Sequence, residues 1–389
     1  MFLEIIKNPV IVIGQIISDW LRGFLPAWLV GLIMNFVAII VILGFLIITV
    51  MALTYIERKI VSRIADRIGP NRTGPFGIFQ PIADTLKLLI KEDTTPAWAD
   101  RWVFLLAPAV ISFAALIAYS ILPFGPGMVG TDINIGVIFV VAFGSLTTVA
   151  ILMAGWGGRN KYSLLGGMRA VAQMVSYEVP MVLAMLGPVM LVGSMSLVDI
   201  VKAQSGVRWL ILAQPIGFLI YFIAGIAETN RSPFDIPEAE SELVAGFHIE
   251  YSGIKFALFF LAEYINMFTV SAMATVLFLG GWQGPFAEQV PILGFLYFII
   301  KVYIVIFLFV WFRGTFPRLR VDQLMDFAWK FLVPLALVSL FLTGLLSKIP
   351  MDGTARTAVL FIAGLLLIGV VLWGVSQADR SRKAGKLAT

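Results

Sequence analysis

Unbroken apolar runs alternate along the chain with short polar segments where Gly, Pro, Lys and Arg collect. A helix rises about 1.5 Å per residue, so roughly twenty apolar residues cross the ~30 Å hydrocarbon core of a bilayer. Nine runs reach that length: 30–55, 103–122, 136–157, 172–194, 209–228, 254–281, 291–312, 329–347 and 356–376. A transmembrane barrel is excluded, because its strands would alternate apolar and polar residues. The expected fold is an all-α polytopic membrane protein with about nine transmembrane helices plus interfacial amphipathic helices. Residues 1–25 are interrupted by Pro9 and by Asp19-Trp20-Leu21-Arg22, so they read as an interfacial helix rather than a secretion signal. Three parts follow: an interfacial segment 1–29, an eight-span core 30–350, and a ninth span with a basic tail, 351–389.

Composition narrows the chemistry. Of 389 residues, 60% are hydrophobic and only 13% charged, which excludes a soluble globular enzyme, a disordered chain and a nucleic-acid-binding module. Cysteine is absent and His248 is the one histidine, so the chain lacks the ligand set of an iron–sulfur cluster, a bis-His haem or a Cys/His zinc site. No metal site is expected. Any redox centre belongs to another chain or to a mobile molecule. Most of the 28 Lys and Arg fall in alternate loops, 57–101, 158–171, 229–255, 313–330 and 377–389. The positive-inside rule then expects an outside N-terminus and a cytoplasmic C-terminus, as an odd number of spans requires. No internal repeat is visible, which argues against a secondary transporter.

Three of these loops carry more than a connector needs. In the first, Arg58, Lys59, Arg63, Arg67, Arg72 and Lys87 crowd together, and Gly69-Pro70 and Gly74-Pro75-Phe76-Gly77 demand turns. An amphipathic helix follows, with Phe79, Ile82, Ala83, Leu86 and Ile90 on one face and Gln80, Asp84, Lys87 and Lys91 opposite. Its cations are either a positive-inside anchor or a platform at the mouth of a lipid-facing cavity. The second, 155–180, leads to Glu178, about seven residues (~10 Å) into a span. A carboxylate at that depth is functional, or it is a structural partner of a cation, or it is a protonated and hydrogen-bonded acid.

The third loop, 228–250, gathers Glu228, Asp235, Glu238, Glu240, Glu242 and Glu250 around Arg231 and His248. It is either a solvated acidic face or a proton relay, since crowded carboxylates share protons. Interleaved Pro233, Phe234, Ile236, Pro237, Leu243, Val244 and Phe247 favour packing. Glu263, about nine residues into the next span, extends the acids into the membrane. Lys301 lies mid-span and needs an acid or water; Glu178 and Glu263 are the candidates. The turn 311–322, with Arg313, Arg318 and Arg320, is an anchor or a cavity wall.

The segments ERK…RIGPNRTGPFGIFQPIADTLKLLIKED, GGRNKYSLLGGMRAVAQMVSYE, AETNRSPFDIPEAESELVAGFHIEYSG with FALFFLAEY, and RGTFPRLRVDQLM occur in that order. Together they resemble the H-subunit family of the proton-pumping NADH:quinone oxidoreductase, respiratory complex I (subunit 1 of the mitochondrial enzyme). The resemblance covers about residues 30–350. The N-terminal segment and the ninth span with its basic tail depart from shorter members. The resemblance implies a subunit at the junction of the membrane and hydrophilic arms. It would form the membrane side of a quinone chamber and the start of a proton-coupling path. Arg58, Arg67, Phe76, Arg231, Asp235 and Arg313 would bind quinone, with the opening between the first span, helix 79–91 and the sixth span. Glu178, Glu228, Glu238, Glu240, Glu242, Glu263 and Lys301 would couple protons. Quinone would be the substrate, and NADH, FMN and iron–sulfur clusters would sit on partner subunits. No catalytic residue is expected on this chain alone. Partners would be the other complex I subunits, lipid and quinone, with no nucleic acid, in the cell inner membrane. Alternatives are the equivalent subunit of a ferredoxin-linked or hydrogenase-type membrane complex, or a stand-alone ion transporter.

Overall fold

The computed structural model describes residues 9–206, 208–237, 244–350, 355–370 and 373. Helix α1 is Pro9–Arg22, α2 Ala27–Ile64, α3 Gln80–Ile90, α4 Arg101–Ile117, α5 Gly136–Gly157 and α6 Lys161–Val192. Then come α7 Leu197–Ala203, α8 Pro215–Glu228, α9 Gly253–Phe278, α10 Pro291–Thr315, α11 Val321–Ser347 and α12 Ala355–Val370. Seven of them (α2, α4, α5, α6, α9, α10 and α11) are long and apolar enough to cross a membrane, and α8 and α12 are shorter apolar helices. The chain is an all-α polytopic membrane protein.

Two helices start or stop where the hydropathy runs do not. The polar segment from Glu57 was expected to be loop, yet α2 continues to Ile64. ERKIVSRI contains no Gly or Pro, so nothing breaks the helix until Ala65. Helix α6 begins at Lys161 rather than 172, because Asn160 caps it: its side-chain oxygen accepts from the Tyr162 N–H at 3.0 Å. Gly166 and Gly167 thus lie on a helix. Gly167 lets α6 approach Gly155 of α5, and at Gly166 a Cβ would stand 2.7 Å from the Gly246 backbone. The 209–228 run is divided by Gln214 into a single turn, Leu210–Ala213, and α8. Helix α11 contains a π-helical turn at Ala328–Leu332.

Helices α6 and α9 form the centre. Helix α6 packs against α5, α8 and α11, and α9 packs against α4 and α10. Helix α9 is the most enclosed span, 61% of its apolar window being buried, against 22% for α2. Helix α3 rests on α2 and α9 and turns Gln80 and Asp84 inward while Lys87 and Lys91 of the same face stay exposed: Arg58 pairs with Asp84 at 2.5 Å, and Gln80 donates to the same carboxylate. Phe79, Ile82, Leu86 and Ile90 are left exposed, as an interfacial helix requires.

Candidate functional site

Four charged side chains meet where α2, α9, α10 and the loop after α8 converge. Glu57, on the polar extension of α2, is buried between two arginines. Arg231 Nη1 donates to Glu57 Oε1 at 3.0 Å, and Arg313 of α10 forms a second ion pair with the same oxygen. The other terminal nitrogen of Arg231 lies 3.3 Å from Glu263 Oε1, and its guanidinium covers the Tyr264 ring at 4.5 Å. Two arginines and two carboxylates therefore balance. Balance matters here, because each ion buried alone would cost several kcal/mol and removing one partner strands another.

The loop that supplies Arg231 is pinned from α6. Gln173 Nε2 donates to the carbonyls of Ala227 and Phe234, both at 2.8 Å, and to Asn230. Asp235 takes Arg318 at 3.0 Å. Beyond the undescribed 238–243, the chain is fastened again. Ser163 donates to the Phe247 carbonyl at 2.9 Å, Asn160 donates to Glu250 at 2.7 Å, and Tyr251 stacks on Phe104. Lys255 is buried and paired with Asp93 at 3.0 Å. Burial pushes the Tyr251 hydroxyl up and the His248 imidazole down to about 4, so His248 is neutral at pH 7.

One cavity opens beside the cluster and a second follows it. The upper one, about 160 Å³, is bordered by Arg231, Arg313, Glu263, Tyr264, His248 and Glu228. The lower one, about 50 Å³, lies deeper along α9 and is bordered by Glu228, Glu178, Tyr221 and three methionines. Glu178 accepts a short hydrogen bond from Ser145 of α5. Buried oxygens of Glu57 and Glu228 have no protein hydrogen-bond partner among the described residues. Groups of that kind call for water or exchangeable protons.

The structure thus brings Arg231, Arg313, Glu228 and Glu263 to one cavity and Glu178 to the next. It leaves Arg58, Arg67 and Phe76 elsewhere: Arg58 ties α2 to α3, while Arg67 and Phe76 are exposed on the turn between them. The Phe76 carbonyl accepts from Tyr55. Glu238, Glu240 and Glu242 lie outside the described residues. Among the described residues Lys301 pairs with neither Glu178 nor Glu263, the two acids considered for it. Its ammonium donates to the carbonyls of Leu279, Gly281 and Gln283 at 2.8, 3.1 and 2.8 Å and sits over the Trp209 ring. The chain leaving the C-terminus of α9 folds back over it, and the partial negative charge of those carbonyls replaces a carboxylate.

Sequence reasoning missed Glu57, which stands in the ERK motif but reads as loop when α2 is ended too soon. The signal available was the lone arginine in an acidic loop, since a buried Arg231 needs more than one acid. Asn266 and Thr147, which border both cavities, carried no signal.

Fold and site together define a polytopic helical membrane protein that buries a balanced ion-pair cluster beside internal cavities. The NADH dehydrogenase family matches residues 37–344, so the chain belongs to that family. Relatives named as the H subunit of NADH-quinone oxidoreductase agree. That of Dehalococcoides mccartyi (strain CBDB1) is 49% identical over 337 residues, 86% of this chain and 93% of its own. That of Carboxydothermus hydrogenoformans is 50% identical over 331 residues, 84% and 93% of the two chains. That of Geobacillus kaustophilus is 54% identical over 288 residues, 74% and 86%.

Proposed function

We propose that this chain is the membrane-arm subunit of a proton-translocating NADH:quinone oxidoreductase that walls the quinone path and starts the proton-coupling path. The observation that carries this reading is the unbroken order of charge and cavity: Arg313, Glu57, Arg231, Glu263, upper cavity, Glu228, lower cavity, Glu178. A merely structural ion pair needs neither the cavities nor the chain of acids.

Quinone is the substrate and enters from the bilayer beside α3, whose exposed apolar face and neighbouring Phe76 suit its tail. NADH, FMN and iron–sulfur clusters belong to partner subunits of the same complex, and electrons come from them. This chain contributes charge. Arg313, Arg231 and Asp235 stand on the head-group side of the path, and Arg58 and Arg67 stand at its entrance beside α3. A reduced head is anionic and competes with Glu57 for Arg313. Arg231 then turns more fully to Glu57, and its hold on Glu263 loosens. Glu263 takes up a proton, passes one toward Glu228, and Glu178 receives it across the lower cavity. Glu238, Glu240 and Glu242 extend the acidic path on the loop side. In this reading residues 30–350 form the working core, 1–29 an interfacial segment, and 351–389 a ninth span and tail. The N-terminus is outside, and the C-terminus is cytoplasmic.

The test is Glu178→Gln in the whole complex reconstituted in vesicles. Proton flux per assembled complex should fall at least tenfold; a wild-type flux would remove Glu178 from the path.

A further inference from the structure

The two cavities share three bordering residues: Glu228, Thr147 of α5 and Asn266 of α9. Asn266 follows Glu263 by one helical turn, so α9 sets an acid in the upper cavity and an amide at the neck below it. On the far wall, Thr147 is buried, and its hydroxyl donates at 2.7 Å to the Gly144 carbonyl, which leaves the oxygen able to accept. Among the described residues the Asn266 amide makes no hydrogen bond to protein. An amide has two donors and an acceptor, and inside a membrane domain they must be met. A void accepts a water once it offers about 10–15 Å³ and two to four polar partners, and both cavities meet that condition.

We infer that Asn266 is a positioning residue that holds, with Thr147, the water joining the upper cavity to the lower one. The inference rests on the proton path proposed above and names the point at which that path is continuous or cut. In the transfer, protonated Glu263 gives its proton to the chain of waters, and the water on Asn266 passes one of its own protons to the Glu228 carboxylate. One O–H bond breaks as another forms, and the amide neither gains nor loses a proton. An amide suits the neck because it keeps the same hydrogen-bonding groups whatever the charge on either side. A carboxylate there would itself trap the proton.

The experiment compares Asn266→Val with Asn266→Thr in the reconstituted whole complex. The two replacements have the same shape, so a packing defect is common to both and only the hydroxyl differs. Proton flux per assembled complex should be at least fivefold lower with Val than with Thr. Equal flux in the two variants, while Glu178→Gln loses flux, overturns the role of Asn266 and leaves the path standing. Wild-type flux in all three overturns the path itself. If the Val variant does not assemble, Thr147→Val carries the same test from the opposite wall. It removes one hydroxyl at constant shape, and a flux within twofold of wild type would overturn the neck.

Discussion

The two ends of the bundle bury polar groups in opposite ways. At the end where α2, α3 and the loop after α8 meet, Glu57, Arg231, Arg313 and Glu263 answer one another, and a cavity lies alongside. At the other end, Lys301 is held by three backbone carbonyls and a Trp ring. Gln204 there is fully used: its amide donates to the carbonyls of Ile200 and Val276, and its oxygen accepts from the backbone N–H of Leu210 and Gly280. Backbone carbonyls cannot take up or release a proton, so the second arrangement offers Lys301 no partner to exchange one with, and we read it as a fastening. Side-chain ions can exchange partners and protons, so the first can adopt several states. Depth and hydropathy alone would rank Lys301 with Glu178 and Glu263. The partner decides the role.

Three changes probe that contrast. The largest effect is expected from Arg231→Met, which strands Glu263 beside a hydrophobic side chain and leaves Glu57 with Arg313 alone. Breaking a buried pair by removing one partner costs roughly 3–5 kcal/mol. The melting temperature of the purified complex should fall by several degrees and quinone reduction should be lost. Native melting with full activity would mean the cluster is ornamental.

Lys301→Met comes next. It removes the donor shared by three carbonyls, a cost of about 1–3 kcal/mol. Stability should drop while protons moved per electron stay at the wild-type value. A lowered ratio would erase the distinction between the two ends and return Lys301 to the proton path.

The smallest effect concerns His248, which borders the upper cavity between Phe247 and Phe256. Burial holds its imidazole at about 4, below the ordinary 6.5. Between those values the unfolded chain binds a proton that the folded chain refuses. Stability from this group is therefore complete above 6.5 and declines as pH falls toward 4. The melting temperature of His248→Phe, measured against wild type from pH 7 to pH 4, should lose that part of the acid dependence. Parallel curves would show that the imidazole already titrates freely.

Much of this protein was legible in one dimension, because a bilayer imposes length and apolarity on each span separately. Each of the nine runs meets an apolar helix among the described residues, and the amphipathic helix after the Gly-Pro turns was legible from its period. Arg231, Arg313, Glu228 and Glu263 declared themselves as charges in or beside apolar surroundings. Helix ends were less legible, since ERKIVSRI is polar enough for a loop and regular enough for a helix.

Partnership was not legible at all. Glu57 and Arg231 are 174 positions apart and touch only because α2 and the loop after α8 reach the same point. Lys301 found carbonyls instead of acids because the chain after α9 folds back over it. The neck at Asn266 exists only where α5 and α9 face each other across two voids. Local sequence fixes which groups are costly to bury. Only three-dimensional packing decides what each of them meets.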